Sequence, residues 1–257
     1  MHLWLKLHNV SLLLVRVVVT ILITFMKKAI KKLLQSIGLS IVRTRDLNDP
    51  QKLFPLRGEH LFDIYFSKID PANFFFVQIG AYDGKHKDPI YPFIVKYNLR
   101  GIVIEPQSEV FPLLQKNYAE CPNVRCLNVA IANKKGFVTL YVPEKETSIA
   151  SLDKNRLERT IKSQTNDVGT IREIEVEALT FEDVMAGQNR LDLLQIDCEG
   201  YDWEILKTID LGKWRPSIIN FESVLLSDAD KRASVNWLES FGYKWFRNNF
   251  DTTAYKV

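Results

Sequence analysis

The sequence predicts an α/β protein whose mostly parallel, doubly wound sheet is completed by an antiparallel β-hairpin strand. Three observations carry this reading. Short apolar runs alternate with stretches of helical spacing, and alternating β and α elements build a parallel sheet covered on both faces. Several of the apolar runs stop at a glycine turn or a carboxylate, where an open α/β sheet binds its ligands. The last two runs, 243–247 and 252–257, flank the turn Asn248-Asn249-Phe250-Asp251, so they form a hairpin and insert one antiparallel strand.

The elements follow in order along the body. Residues 59–70 read as a short helix ahead of the first strand. Phe74-Phe75-Phe76-Val77-Gln78-Ile79 is a buried strand that runs into the glycine loop 80–89. A helix over 91–98 tolerates Pro92 in its first turn. The strand 101–105 ends in Glu105, and 107–118 is helical. Residues 124–131 read as one third strand, and 137–142 as the next. The polar stretch 143–170 reads as a flap or loop with a short helix. Residues 171–177 alternate apolar and charged, which marks an exposed antiparallel strand partnered by 137–142. Thr180-Phe181-Glu182-Asp183 is a capping pattern that opens a helix. Strand 191–196 closes on Asp197-Cys198-Glu199-Gly200, and a helix follows over 201–209. Strand 217–221 ends at Glu222, and the helix 228–241 is stopped by Gly242.

Composition sets outer bounds. The 257 residues suit one α/β domain with some extra length. A formal net charge of +3 is too small to imply a nucleic-acid partner, and no basic stripe interleaved with aromatics runs through the body. Cys121, Cys126 and Cys198 form no C-x-x-C pair, so they read as reduced thiols of a cytoplasmic protein. His2, His8, His60 and His86 are not spaced to share a metal, and no metal is expected.

The domain reading has three parts. Residues 1–25 form an apolar extension, 26–58 a basic helix and linker, and 59–257 the body. The densest apolar run, Leu12 to Met26, is about fifteen residues, against the roughly twenty that a spanning helix needs. Arg16 within it would cost about 2.5–3.5 kcal/mol near the bilayer centre. The segment is either a membrane anchor or an over-extended start, with Met26 as the true beginning. Residues 26–39 form an amphipathic helix with four lysines on its polar face. Such a helix can lie on the anionic inner face of the cytoplasmic membrane, or dock on the body with its lysines in water.

Acids gather at the predicted C-terminal ends of the strands: Asp83, Glu105, Asp197 with Glu199, and Glu222. Ligands of open α/β sheets bind there. The spacing Gly80-x-x-x-Gly84 lacks the G-x-G-x-x-G dinucleotide fingerprint, which argues against NAD. The P-loop and the G-x-S-x-G nucleophile elbow are also missing.

These residues resemble the FkbM family of methyltransferases. The resemblance rests on Val77-Gln78-Ile79-Gly80-Ala81-Tyr82-Asp83-Gly84, Ile104-Glu105-Pro106 and Asn128-Val129-Ala130-Ile131. Above all it rests on Leu193-Leu194-Gln195-Ile196-Asp197-Cys198-Glu199-Gly200-Tyr201-Asp202. It covers about residues 60–257. It implies a Rossmann-like class I methyltransferase fold, S-adenosyl-L-methionine as cofactor, and methyl transfer to oxygen on a glycan, glycolipid or secondary metabolite. It places Gly80, Ala81 and Gly84 at the methionine part of the cofactor and Asp83 near its amino group. Glu105, followed by Pro106, would accept the ribose hydroxyls. Asn128 to Ala130 would border the adenine, and Asp197 with Glu199 would sit beside the sulfonium. The chain departs from the commonest family pattern at Gln195, where lysine is frequent, and at Ser223, where histidine is frequent.

A sugar hydroxyl is weakly acidic, so a base within about 3 Å assists transfer. The candidates are Asp197, Glu199, Glu222 and His86, with a carboxylate of the Asp197/Glu199 pair preferred. An alternative of a different class is a non-catalytic, cofactor-binding scaffold in a biosynthetic complex.

Overall fold

The computed structural model describes residue 62 and residues 65–256, apart from 146, 166, 167 and 249. The extension, basic helix and linker expected over 1–58 lie outside the described residues. Of the helix expected over 59–70, residues 62, 65 and 66 are helical.

Ten strands follow in chain order. They are β1 Phe75–Ile79, β2 Arg100–Ile104, β3 Val124–Leu127, β4 Ala130–Ile131 and β5 Gly136–Pro143, then β6 Ile171–Leu179, β7 Leu193–Ile196, β8 Ile218–Glu222, β9 Lys244–Arg247 and β10 Asp251–Tyr255. The helices are α1 Tyr91–Tyr97, α2 Phe111–Asn117, α3 Lys154–Thr165, α4 Phe181–Val184, α5 Asp202–Leu206 and α6 Asp228–Ser240. Seven strands form the main sheet in the order β3-β2-β1-β7-β8-β10-β9. Every neighbouring pair is parallel except those made by β10, which is antiparallel to both β8 and β9. This is the mixed α/β sheet that the closing hairpin predicts.

The strand β1 is central and buried along its whole length. Phe75, Val77 and Ile79 point into one core with Leu194, Ile196 and Ile219. Phe74 and Phe76 point into the other with Phe66, Phe93 and Ile94. Side chains alternate across a strand, so a run that is apolar at both parities needs cover on both faces. Each fully buried aliphatic or phenylalanine side chain contributes about 1.5–3 kcal/mol, which places most of the stabilisation at this double-sided centre.

The expected single strand over 124–131 is two. The main-sheet ladder ends where the Glu105 N–H donates to the Leu127 carbonyl at 3.0 Å. The Asn128 side-chain amide then takes the Glu105 carbonyl at 2.8 Å. With that acceptor satisfied by a side chain, the backbone is released from the sheet. Ala130 and Ile131 cross to a second sheet of order β4-β6-β5. In it β5 and β6 pair antiparallel from Gly136–Ala178 to Pro143–Ile171, the partnership expected of 137–142 and 171–177.

Within 143–170 the structure has a 3-10 turn at Thr147–Ile149 and the three-turn helix α3. Thr180 caps α4, with its hydroxyl accepting from the Asp183 N–H and the Asp183 carboxylate accepting from the Thr180 N–H. Gly242 follows α6 at φ 81°, the left-handed position that suits glycine after a helix. Among the described residues no helix is long and apolar enough to cross a membrane.

Candidate active site

The C-terminal ends of β1, β2 and β7 meet around a cavity of about 350 Å³. Its walls come from the loop after β1, the loop after β2, residues 129–131, the strap 148–152 and the loop after β7. Small-molecule sites fall in this size range, at this place in α/β sheets.

The loop after β1 is shaped by contact with β7. Gly80 has φ 78°, and a Cβ there would lie 1.8 Å from the backbone carbonyl oxygen of Asp197. Only glycine lets the two strand tips approach this closely. The Gly80 and Ala81 N–H groups donate to the Ile104 carbonyl at 3.0 and 2.9 Å, which ties the loop to β2 as well.

Glu105 is 3% exposed and sits at the end of β2. Its Oε2 accepts from the Tyr82 N–H at 2.8 Å and its Oε1 from the Gln107 N–H at 2.8 Å. Burial pushes its pKa up, and the two amide bonds pull back against that. Each oxygen keeps a further lone pair for a ligand hydroxyl.

The loop after β7 is the opposite case. Asp197 opens into the cavity, yet the cavity is deep enough that protein surrounds it. Burial, then the charges of Asp202 and Glu199, raise its pKa well above its ordinary value. Carboxylate oxygens of Asp197, Glu199 and Glu222 lie within 4.8 Å of one another. That spacing would also let them bridge a cation. Glu222 has one buried oxygen, Oε2, without a hydrogen-bond partner. Its pKa is pushed up to about 10, first by burial and then by Asp197 and Glu199. Asp251 stands opposite Glu222 in the β8–β10 register, and burial raises its pKa too. Beneath the loop, fully buried Asp202 accepts from the Cys198 N–H at 3.3 Å and the Gly200 N–H at 3.1 Å. Burial pushes its pKa up to about 7.

A buried polar row crosses the sheet just below the acids. Gln78, Gln195, Asn220 and Thr253 are side by side in register on β1, β7, β8 and β10. The Asn220 amide donates to Gln195 Oε1 at 3.0 Å and its oxygen accepts from the Thr253 hydroxyl at 2.5 Å. Gln78 donates to Asp88 at 2.7 Å, while its own Oε1 is buried without a partner.

The model of the Methyltransferase FkbM domain family matches residues 78–245, well over half of the chain. The chain belongs to this family. It is an S-adenosylmethionine-dependent methyltransferase. No curated protein matches the sequence. Several solved methyltransferase structures resemble it distantly. Precorrin-6y C5,15-methyltransferase from Geobacter metallireducens GS-15 is 14% identical with a TM-score of 0.41, over 84% of this chain and 98% of that one. The N-terminal domain of human METTL16 in complex with SAH is 12% identical with a TM-score of 0.44, over 87% and 78%. An rRNA methylase from Streptococcus thermophilus is 8% identical with a TM-score of 0.44, over 79% and 99%.

The structure brings Gly80, Ala81, Glu105, Pro106, Ala130, Asp197, Glu199 and His86 of this FkbM-family methyltransferase to the cavity wall. It places four other residues singled out in the sequence behind that wall. Asp83 does not face the cavity: its carboxylate accepts from the Lys85 N–H and the His86 N–H, both at 2.9 Å, and from the His86 ring. Burial pushes its pKa up, but these bonds outweigh that and lower it overall. Gly84 is also away from the ligand space. A Cβ there would strike Leu114 at 2.4 Å and Tyr118 at 2.5 Å, so this glycine serves packing against α2. Asn128 braces the Glu105 backbone and accepts from the Ser108 hydroxyl at 2.9 Å. Glu222 is off the cavity wall but within reach of Asp197 and Glu199. His86 is on the rim, its side chain 78% exposed and its ring on Asp83.

Sequence reasoning did not single out Asp88, Asp202, Asp251 or Gln107, while the strap falls within the flap expected over 143–170. Asp202 was readable in the Asp197-to-Asp202 stretch as an acid at the start of a helix. The others become neighbours only through register and loop crossing.

Proposed function

We propose that this methyltransferase transfers the methyl group to a hydroxyl of a glycan, glycolipid or secondary-metabolite acceptor. The observation that carries this reading is one cavity joining three features: a glycine close approach, an amide-braced carboxylate and a crowded carboxylate cluster. The residues fit the cofactor. Glu105 suits the ribose hydroxyls, because its oxygens are fixed by backbone amides and still accept. Gly80 and Ala81 allow a ligand to lie against the backbone, with Pro106 and Ala130 as apolar walls for the adenine. The mutually repelling acids suit a cation, and S-adenosylmethionine carries an activated methyl on a positively charged sulfur.

Within this reading Asp197 and Glu199 face the reacting end. One of them accepts the acceptor's hydroxyl proton, and Glu222 behind them is largely protonated at neutral pH, which keeps a third charge out of the cluster. The free oxygen of Gln78 and the two oxygens of Glu105 are acceptors, which matches a hydroxyl-bearing ligand that donates. Orientation of the oxygen in line with the methyl is the main task left to the protein. His86 is a secondary base candidate at the rim. The basic helix over 26–39 would hold the protein at the inner membrane face, near glycolipid acceptors.

Isothermal titration with S-adenosylhomocysteine and with NAD tests the cofactor half of this reading. Transfer of labelled methyl to a glycan panel tests the acceptor half. We expect S-adenosylhomocysteine alone to bind, and label to enter alkali-stable methyl ethers. Label in methyl esters or amines would overturn the assignment to hydroxyls.

A further inference from the structure

Two residues on different loops hold the same carboxylate and the same point of the strap. Tyr82 follows β1 and Gln107 follows β2. Their backbone N–H groups donate to the two oxygens of Glu105, each at 2.8 Å. Their side chains both reach Thr147: the Tyr82 hydroxyl bonds the Thr147 hydroxyl at 3.1 Å, and the Gln107 amide donates to the Thr147 carbonyl at 3.1 Å. One side chain thus separates each Glu105 contact from a strap contact.

The other end of the strap is tied to the acid loop. The Ser151 hydroxyl donates to the Glu199 carbonyl at 3.3 Å, and the Ser151 backbone bridges Tyr141 in both directions at 2.9 and 3.1 Å. Between these anchors Ile149 and Ala150 line the cavity. The strap therefore runs from the carboxylate at the end of β2 to the carboxylates at the end of β7. Tyr82 itself has φ 48°, which a bulky residue adopts only where its surroundings hold it.

Resting on the assignment of Glu105 to the cofactor's ribose, we infer that Tyr82 and Gln107 are positioning residues that couple the occupied ribose site to the strap 147–152, a wall of the acceptor subsite. A hydroxyl donating to Glu105 adds a further restraint to oxygens that the two amides already hold, and so tightens those amides. The Tyr82 and Gln107 side chains carry that restraint to Thr147. The acceptor wall is then most rigid once the cofactor has bound, which favours an ordered reaction with the cofactor first. Neither side chain touches the reacting atoms. The Gln107 amide also bonds Glu105, whereas the Tyr82 hydroxyl bonds Thr147, so removing the Tyr82 hydroxyl loosens the wall and leaves cofactor affinity nearly intact.

Hydrogen exchange of the 147–152 amides, measured by mass spectrometry on the full chain with and without S-adenosylhomocysteine, tests this. In the wild type the ligand should slow exchange of the strap about tenfold or more. Tyr82→Phe removes one hydroxyl, and Gln107→Leu one amide. Tyr82→Phe should bind S-adenosylhomocysteine within about threefold of the wild type, and the double variant, saturated with the ligand, should lose most of the ligand-induced protection. The single Tyr82→Phe variant should lose part of it. Full protection retained in the folded single and double variants would overturn the coupling. Wild-type binding with no slowing of the strap would overturn it too, while leaving the cofactor assignment standing. No binding to the wild type at all would overturn both.

Discussion

The two carboxylate sites of the cavity are built on opposite principles. At the end of β2, Glu105 stands apart from the other acids, and each oxygen is met by a backbone N–H. At the ends of β7 and β8, Asp197, Glu199 and Glu222 crowd together, and Glu222 keeps a buried oxygen with no partner. The first site is complete before any ligand arrives, as a neutral polyol requires. The second carries unresolved repulsion that an incoming cation or a bound proton relieves. Rigidity and latent charge are thus separated across one small space, and each half can be disturbed without the other.

The largest disturbance strikes the point where both halves meet. Gly80→Ala would drive a Cβ into the Asp197 carbonyl and hold alanine at a positive φ. We expect a loss of about 2–4 kcal/mol in stability from overpacking and backbone strain. Cofactor binding should fall below detection. Urea denaturation and calorimetric titration measure the two.

Glu105→Gln breaks the first half alone. An amide presents one oxygen and one N–H group, so one backbone donor at Tyr82 or Gln107 would face another donor. That clash lowers stability with or without ligand, while the lost acceptor for a ribose hydroxyl, a bond to a charged group worth about 1.5–3 kcal/mol, predicts a roughly 10- to 150-fold weaker dissociation constant for S-adenosylhomocysteine. An unchanged constant would remove Glu105 from the cofactor site.

The second half answers to pH. Asp202 and Glu222 titrate near about 7 and about 10 in the fold, against ordinary values of 3.8 and 4.5. Above the ordinary values the folded state therefore holds more protons than the unfolded chain, and stability falls as pH rises. The decline should run from about pH 4 to 7 for Asp202 and on toward pH 10 for Glu222. We expect a slope on the order of 0.5–1 kcal/mol per pH unit. Glu222→Gln mimics the protonated acid, so it should flatten the upper part of that decline. Denaturation midpoints at pH 6 and pH 9 would show it, and a parallel slope in the variant would count against Glu222 as the proton holder.

Smaller effects belong to the braces. Asp83→Asn weakens the turn that holds Lys85 and His86, at a cost of about 1 kcal/mol. S-adenosylhomocysteine affinity should change only a few-fold, since the carboxylate faces its own loop. Asn128→Ala loses the bonds to Glu105 O and Ser108, and should cost about 0.5–1 kcal/mol by thermal denaturation.

The same contrast explains what the sequence revealed. Gly80, Glu105, Asp197 and Glu199 are legible because each ends an apolar run, and strand ends are local signals. The hairpin at 243–257 and the capping box at Thr180 are local as well. Asp251 becomes Glu222's neighbour only through the antiparallel register of β10, and Gln78 joins Gln195 only through parallel pairing across more than a hundred residues. The break between β3 and β4 was hidden because residues 124–131 include no proline or glycine. A side chain, Asn128, ends the ladder there instead. Asp83 misled because an acid beside glycines reads alike whether it serves a ligand or its own turn.

The position of β10 has a consequence for synthesis. It lies inside the sheet, between β8 and β9, although it follows both in chain order. Chains fold as they emerge, earlier segments first. While the ribosome is still adding residues 251–255, β9 has no strand to pair with, and the edge of β8 stays open. Asp251, Thr252 and Thr253 are absent from the acid end over the same interval. The half-built sheet therefore exposes the edge of a buried strand until β10 slots into the gap, an edge open to pairing with another chain.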